Sequence, residues 1–134
     1  MSLHFEDNSA EVKAKLNGIC TDWLHEAAGE LQGQAQRNTR VDSGRTKSSF
    51  EYSVDSGAKK AAVGSNYENT IWEEFGTGQY ALEGNGRKTP WVYEDRHGNW
   101  HRTSGKRGTR ALFNAFNTKK KQLQQTLEAK LKGL

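Results

Sequence analysis

Four histidines, one cysteine and the adjacent carboxylates Glu73 and Glu74 are the residues of this 134-residue chain taken first for a chemical reading. His97 and His101 stand four apart, which on a helix would place two metal ligands on one face. Here they flank Gly98-Asn99 within Asp95-Arg96-His97-Gly98-Asn99, a turn sequence between two aromatic runs, so they straddle a hairpin bend. His25 has only Ala28 and Gly29 at the offsets where a second ligand would stand, and His4 has no partner at tetrahedral-site spacing. Cys20 lies between Ile19 and Trp23, where a small core hydrophobe is expected rather than a nucleophile. No serine sits in a G-x-S-x-G elbow. Glu73 and Glu74 are neighbours in sequence, so their side chains do not converge on one substrate. Gly76-Thr77-Gly78 lacks the third glycine of a dinucleotide loop, and Gly105-Lys106 is followed by Arg107 where a phosphate loop needs Ser or Thr. The reading is a non-enzymatic chain with no catalytic residue, no cofactor and no metal site.

The elements that hold these residues are read from periodicity. Asn8 to about Arg37 is predicted as a long amphipathic helix, with Val12, Leu16, Ile19, Trp23, Ala27 and Leu31 on one face and Trp23 in the core. Asn8 and Glu11 have the spacing of a capping box. Gly18, Gly29 and Gly33 imply either close approach of another backbone or breaks in the helix. Ser48 to Val54 alternates as a strand with Phe50, Tyr52 and Val54 on one face, and Lys60 to Gly64 returns beside it. Asn69 to Phe75 suits a short helical turn with Glu73 and Glu74 outward, ended by Gly76-Thr77-Gly78. Gln79 to Thr89 reads as a mobile loop, and the aromatic runs from Trp91 and from Trp100 as a second hairpin. Ser104 to Gly108 reads as a flexible basic link, after which Thr109 caps a last helix with Leu112, Phe116, Leu123, Leu127 and Leu131 on its apolar stripe.

This order predicts one α+β domain over residues 1–134, in which both long helices pack on one face of a small antiparallel sheet made of hairpins. Its parts are a helix over 1–40, a β-rich core over 41–104 with the mobile loop near 79–89, and a helix over 109–134.

Composition narrows the class further. Leu, Ile, Val and Phe make up only 22 of 134 residues, yet net charge is just +4 and four Trp, four Tyr and five Phe offer large buriable surfaces. The expectation is a polar domain whose thin core is completed by neighbours, so that the chain orders further on assembly. A single cysteine excludes an internal disulfide, no stretch is apolar enough to span a membrane, and the first residues lack a secretory pattern. Synthesis in the cytoplasm is the corresponding expectation.

Charge is uneven: residues 102–134 carry nine basic groups and one acidic, net +8. That segment reads either as a solvated helix face or as a surface for nucleic acid or an acidic partner. Arg87, Lys88, Arg96 and Arg102 lie near Trp91 and Trp100 in sequence, a combination that serves either base stacking or a protein interface. Glu68, Glu73 and Glu74 offer an acidic counterpart. These nine residues are the candidate interface, the acidic group of one subunit meeting the basic, aromatic group of the next.

Three segments carry a resemblance. Val41-Asp42-Ser43-Gly44-Arg45 with Ser48-Ser49-Phe50, then Val63-Gly64-Ser65-Asn66-Tyr67 with Trp72-Glu73-Glu74-Phe75-Gly76-Thr77-Gly78, then Gly86 to Val92-Tyr93 and Gly98 to His101, stand in family order over about residues 41–116. Together they resemble the neck and tail-completion (head–tail joining) family of long-tailed bacteriophages. One departure is Gly108-Thr109-Arg110-Ala111-Leu112, which lacks the proline that the family often has before its last helix. The resemblance implies a structural virion protein at the head–tail junction or the head-proximal tail end, made in the host cytoplasm. It also implies a ring, here expected as a hexamer before a dodecamer, that meets the head connector, the tail tube or both. Non-specific contact with packaged DNA is a further expectation, and membrane contact is not. The competing expectation is a nucleic-acid-binding module built on the basic C-terminal quarter.

Overall fold

A computed structural model of the chain describes residue 3, residues 5–40 and residues 44–134. His4 and the Val41-Asp42-Ser43 part of the first motif lie outside the described residues. The elements run α1 (Ser9–Asn38), α2 (Arg45–Ser48), β1 (Phe50–Asp55), β2 (Lys60–Ser65), α3 (Asn69–Phe75), β3 (Thr77–Gly78), β4 (Trp91–Glu94), β5 (Trp100–Thr103), β6 (Gly105–Lys106) and α4 (Ala111–Lys132). The class is α+β, as the periodicities predict. The strands form three separate antiparallel pairs, β1–β2, β3–β6 and β4–β5, where one sheet was expected.

The helices α1 and α4 pack antiparallel. The Trp23 indole donates its Nε1–H to the Leu123 carbonyl at 2.9 Å, and at the other end the Asn38 amide reaches the Ala111 carbonyl at 3.2 Å. Between them Glu30 pairs with Lys119 and Glu26 with Lys130, each at 3.4 Å. The contact is made mostly by alanines: Ala27, Ala28, Ala35, Ala111 and Ala115 are buried, with Phe50 and Leu123 the only larger apolar side chains among the buried ones described. Small residues let helix axes approach closely, and larger ones are displaced to the edges. That displaces two members of the expected stripe on α4, since Phe116 and Leu131 are exposed. It also leaves the first turns of α1 uncovered, Val12 included, because no described element reaches them. The long helix passes its three glycines without a break.

Two helix starts differ from expectation. The Asn8 side chain makes no capping bond; Asp7 Oδ1 accepts the Ser9 N–H at 2.9 Å instead. The residue before α4 is Arg110, in the left-handed region at φ 55°, and Thr109 does not cap it. A carboxylate from α3 takes that role.

The β1–β2 hairpin forms as predicted, and its register sets Tyr52 opposite Val63 and Val54 opposite Ala61. The face that carries Phe50, Tyr52 and Val54 lies on α1, with Phe50 buried against Ala35, Ala111 and Ala115. The segment 104–108, expected as a flexible link, instead contributes β6, which pairs Gly78 with Gly105 and Thr77 with Lys106. Glycine is required at both ends of this pair: a Cβ on Gly78 would strike the Ser104 carbonyl, and one on Gly105 the Thr77 carbonyl. No described helix is long and apolar enough to cross a membrane.

Candidate functional site

The nine candidate interface residues fall into two settings, and the basic C-terminal quarter forms a third. On α3, the neighbours Glu73 and Glu74 point to different partners. Glu74 is only 8% exposed, and its carboxylate accepts the backbone N–H groups of Phe113 (2.9 Å) and Leu112 (3.3 Å) at the first turn of α4. A helix N-terminus presents unpaired N–H groups and a partial positive charge, which a buried carboxylate satisfies. Glu73 accepts Arg40 Nη2 at 3.1 Å, the Lys106 ammonium and the Thr109 hydroxyl at 3.3 Å, while its carbonyl accepts the Thr109 N–H at 2.6 Å. Partial burial pushes the Glu73 carboxyl up, but the Lys106 ammonium and the Arg40 guanidinium outweigh it and hold it below the usual glutamate range. The expectation that both carboxylates face outward is therefore corrected. Of the proposed acidic patch only Glu68 is exposed.

The second setting is the β4–β5 hairpin. Its register pairs Trp91 with Thr103, Val92 with Arg102, Tyr93 with His101 and Glu94 with Trp100. Alternation across a strand therefore puts Trp91 and Tyr93 on one face, and Val92, Glu94, Trp100 and Arg102 on the other. The two tryptophans grouped in one patch from sequence lie on opposite faces. Trp91 is half-buried under the Arg87 guanidinium, 5.8 Å from its ring, and Arg87 also donates to the Thr89 hydroxyl. Trp100 is 68% exposed and Val92 63%. Among the described residues no helix packs extensively on this hairpin, so it stands out as an arm. The exposed Lys88 precedes it in the chain, and Arg96 sits at its turn.

The arm's inner face closes one side of an open groove of about 610 Å³, lined by Arg40, Arg45, Tyr67, Glu73, Tyr93 and Asp95 among others. Asp95 organises the turn: it accepts the backbone N–H groups of His97 and Asn99 and meets His101 Nε2 at 2.7 Å. The His101 contact, then the Asn99 N–H, hold the Asp95 carboxyl below the usual aspartate range. His101 stacks on Tyr93 with ring centroids 5.3 Å apart. Its role is thus to brace the turn. Among the described residues no group of three His, Cys, Asp or Glu is placed to hold a metal ion.

The third setting is the basic C-terminal quarter. Lys106, Lys119 and Lys130 are ion-paired to Glu73, Glu30 and Glu26, while Arg107 lies over Tyr80 and Arg110 over Phe113. Five of its cations are thus engaged within the chain, and the net charge overstates the field offered to an anion.

Sequence reasoning missed what the two motifs hold together. Ser49, Ser65 and Thr70 form a hydroxyl cluster, with Ser49–Ser65 at 2.5 Å and Ser65–Thr70 at 2.9 Å, that ties the end of α2 and β2 to α3. Gly76 takes φ +81°, and a Cβ there would meet the carbonyls of Tyr80 and Lys106. The motif residues Glu74, Gly76 and Gly78 therefore fasten the second half of the chain to the first. No local pattern announces this, since the partners of Glu74 follow 38 and 39 residues later.

A family model described as "Bacteriophage HK97-gp10, putative tail-component" matches residues 4–81, which is α1 through the turn after β3. The chain belongs to this family of bacteriophage tail components. No curated protein and no solved structure matches it. The match spans the first two motifs and the carboxylates of α3; the arm and α4 lie beyond it.

Proposed function

We propose that this tail component completes the phage tail or neck and joins it to the DNA-filled head, as a ring of identical subunits with six favoured over twelve. Its partners in this reading are further copies of itself, the head connector and the tube of the tail. The observation that carries it is the family match over residues 4–81 in a chain whose arm exposes Val92 and Trp100 without a covering element. Exposed aromatics on a two-stranded ribbon suit an interface, where a few large side chains supply most of the affinity. The site is non-enzymatic: its carboxylates brace α4 and the β3–β6 pair rather than face a substrate.

A nucleic-acid-binding module built on the basic C-terminal quarter is the competing reading. The engagement of five C-terminal cations within the chain weighs against it. The test is an infection with the gene interrupted, viewed by electron microscopy and rescued in trans. Filled heads and separate tails are the expected products; normal joined particles would overturn the reading. Binding to DNA that collapses as salt rises would instead favour the nucleic-acid function.

A further inference from the structure

We infer that the cleft between Trp72 of α3 and Trp91 of β4 receives the segment that precedes α1, Leu3 to Asp7, of a second copy of this chain. This rests on the self-assembly reading above and names a contact that makes it.

The cleft has a volume of about 420 Å³, with Trp72 and Trp91 as walls and Gly78, Ala81 and Gly86 between them. Backbone packing holds its shape. A Cβ on Gly86 would strike the Gly78 carbonyl, and the Ala81 N–H is bonded to that same carbonyl at 3.2 Å. The Leu82 N–H meets the Phe75 carbonyl at 2.9 Å, so the chain between the two tryptophans is wound against the end of α3. A site shaped before its occupant arrives loses less freedom on binding. Trp72 nonetheless remains 51% exposed in the single chain.

The charge that lines the cleft has one sign. Arg87 is the charged side chain among its described lining residues, and a second depression that shares Arg87 and Trp91 adds Arg102. The acids nearest in the chain, Glu83 and Glu94, line neither. Among the described residues Arg87, Lys88 and Arg102 pair with no carboxylate, whereas Lys106, Lys119 and Lys130 already do.

The segment before α1 has the complementary character. Leu3 is 95% exposed and Phe5 87%, and Glu6 and Asp7 follow as exposed acids. Asp7 gives one oxygen to the Ser9 N–H and Glu11 pairs with Lys15, while Glu6 has no partner among the described residues. Apolar side chains left in water are unfavourable in proportion to their area, and a phenyl ring beside two indoles gains further from ring geometry.

The segment does not reach the cleft of its own molecule. With its 30 residues α1 is about 45 Å long. Beyond its far end Arg40 bonds to Glu73, the neighbour of Trp72. Residues 3–8 span at most about 20 Å. The contact therefore joins opposite ends of α1 in two molecules, head to tail, which generates a ring if the rotation closes.

The experiment follows the full chain by sedimentation over a concentration series. Phe5→Asp alters a residue that no described element covers, and Trp72→Asp removes one wall of the cleft. Each is expected to raise the association midpoint on the order of 30-fold. Mixed in equal amounts, the two are expected to form a 1:1 pair and stop there, since one intact segment meets one intact cleft. Should Trp72→Asp melt early, Arg87→Glu at an exposed position takes its place. Its rise, on the order of 10-fold, is expected to be partly reversed by Glu6→Arg in the same chain. If the unmodified chain assembles and Phe5→Asp and Arg87→Glu assemble equally well, this contact is wrong while self-assembly stands. Loss of binding to a single-stranded oligonucleotide in Arg87→Glu, with assembly unchanged, would assign the cleft to nucleic acid instead. If the unmodified chain is monomeric at every concentration, both the contact and the self-assembly reading fall.

Discussion

The β1–β2 hairpin and the β4–β5 hairpin are built from similar parts, alternating strands joined by an Asp-containing turn, yet they live in different surroundings. The first lies along α1, with Phe50 only 2% exposed and the Gln32 amide donating to the Phe50 carbonyl at 2.8 Å. The second presents Val92 and Trp100 to water and is stiffened from within by Asp95 and the Tyr93–His101 stack. An apolar residue in the first is there for folding, because its cover is already present. An equally apolar residue in the second has no cover in the monomer, so its reason must be sought in assembly. The difference also separates two kinds of carboxylate. Those of α3 are consumed in joining elements, whereas Asp95 shapes a turn that projects outward.

That contrast can be broken by measurement. Phe50→Ala empties a fully covered site and should lower stability by about 3–5 kcal/mol, read from urea unfolding; an unchanged midpoint would mean that the docked hairpin is not docked. Trp23→Ala, at a half-buried site, should cost about 3 kcal/mol, and Trp23→Phe about 1 kcal/mol through loss of the bond to the Leu123 carbonyl. Glu74→Ala strands two N–H groups at the start of α4 and should cost about 1–3 kcal/mol, with loss of helical ellipticity centred on that helix. Glu74→Gln, which keeps one acceptor, should recover part of it.

Acid sharpens the comparison further. Because the Glu73 carboxyl is held below its unfolded value, its contribution is fully present above about pH 4.5 and is lost as pH falls through the lowered folded value. The acid limb of a thermal-melt series should therefore be shallower in Glu73→Gln than in the unmodified chain. The smallest effect belongs to the arm. Trp100→Ala should alter monomer stability by less than about 0.5 kcal/mol while weakening assembly, and a large loss of stability would show that the arm is part of the fold.

How much of this was readable beforehand depends on the kind of signal. Periodicity located α1, α4 and both hairpins, because each has a face made of one residue class over several turns or alternations. It misjudged which apolar residues are covered: Val12 and Phe116 belong to good stripes, but coverage depends on what packs opposite, and alanine contacts bring the helices together elsewhere. The β3–β6 pair is two residues long on each side and more than 25 residues apart, so no local pattern could reveal it. The Glu74 cap was missed for the same reason, since its partners follow 38 and 39 residues later. The candidate patch failed where it assumed that neighbours in sequence share a face; strand alternation parted Trp91 from Trp100.

The bond from the Trp23 indole to the Leu123 carbonyl spans 100 residues. A chain leaving the ribosome at roughly 5–20 residues per second therefore carries α1 for about 5–20 s before its partner helix has been made. For that interval the apolar side of α1 has only the β1–β2 hairpin for shelter, and its exposed stripe is open to chaperones and to other nascent chains. Polysomes crowded with the same message would bring such stripes together, so yield in an expression host should depend on translation speed and temperature more than on the stability of the finished fold.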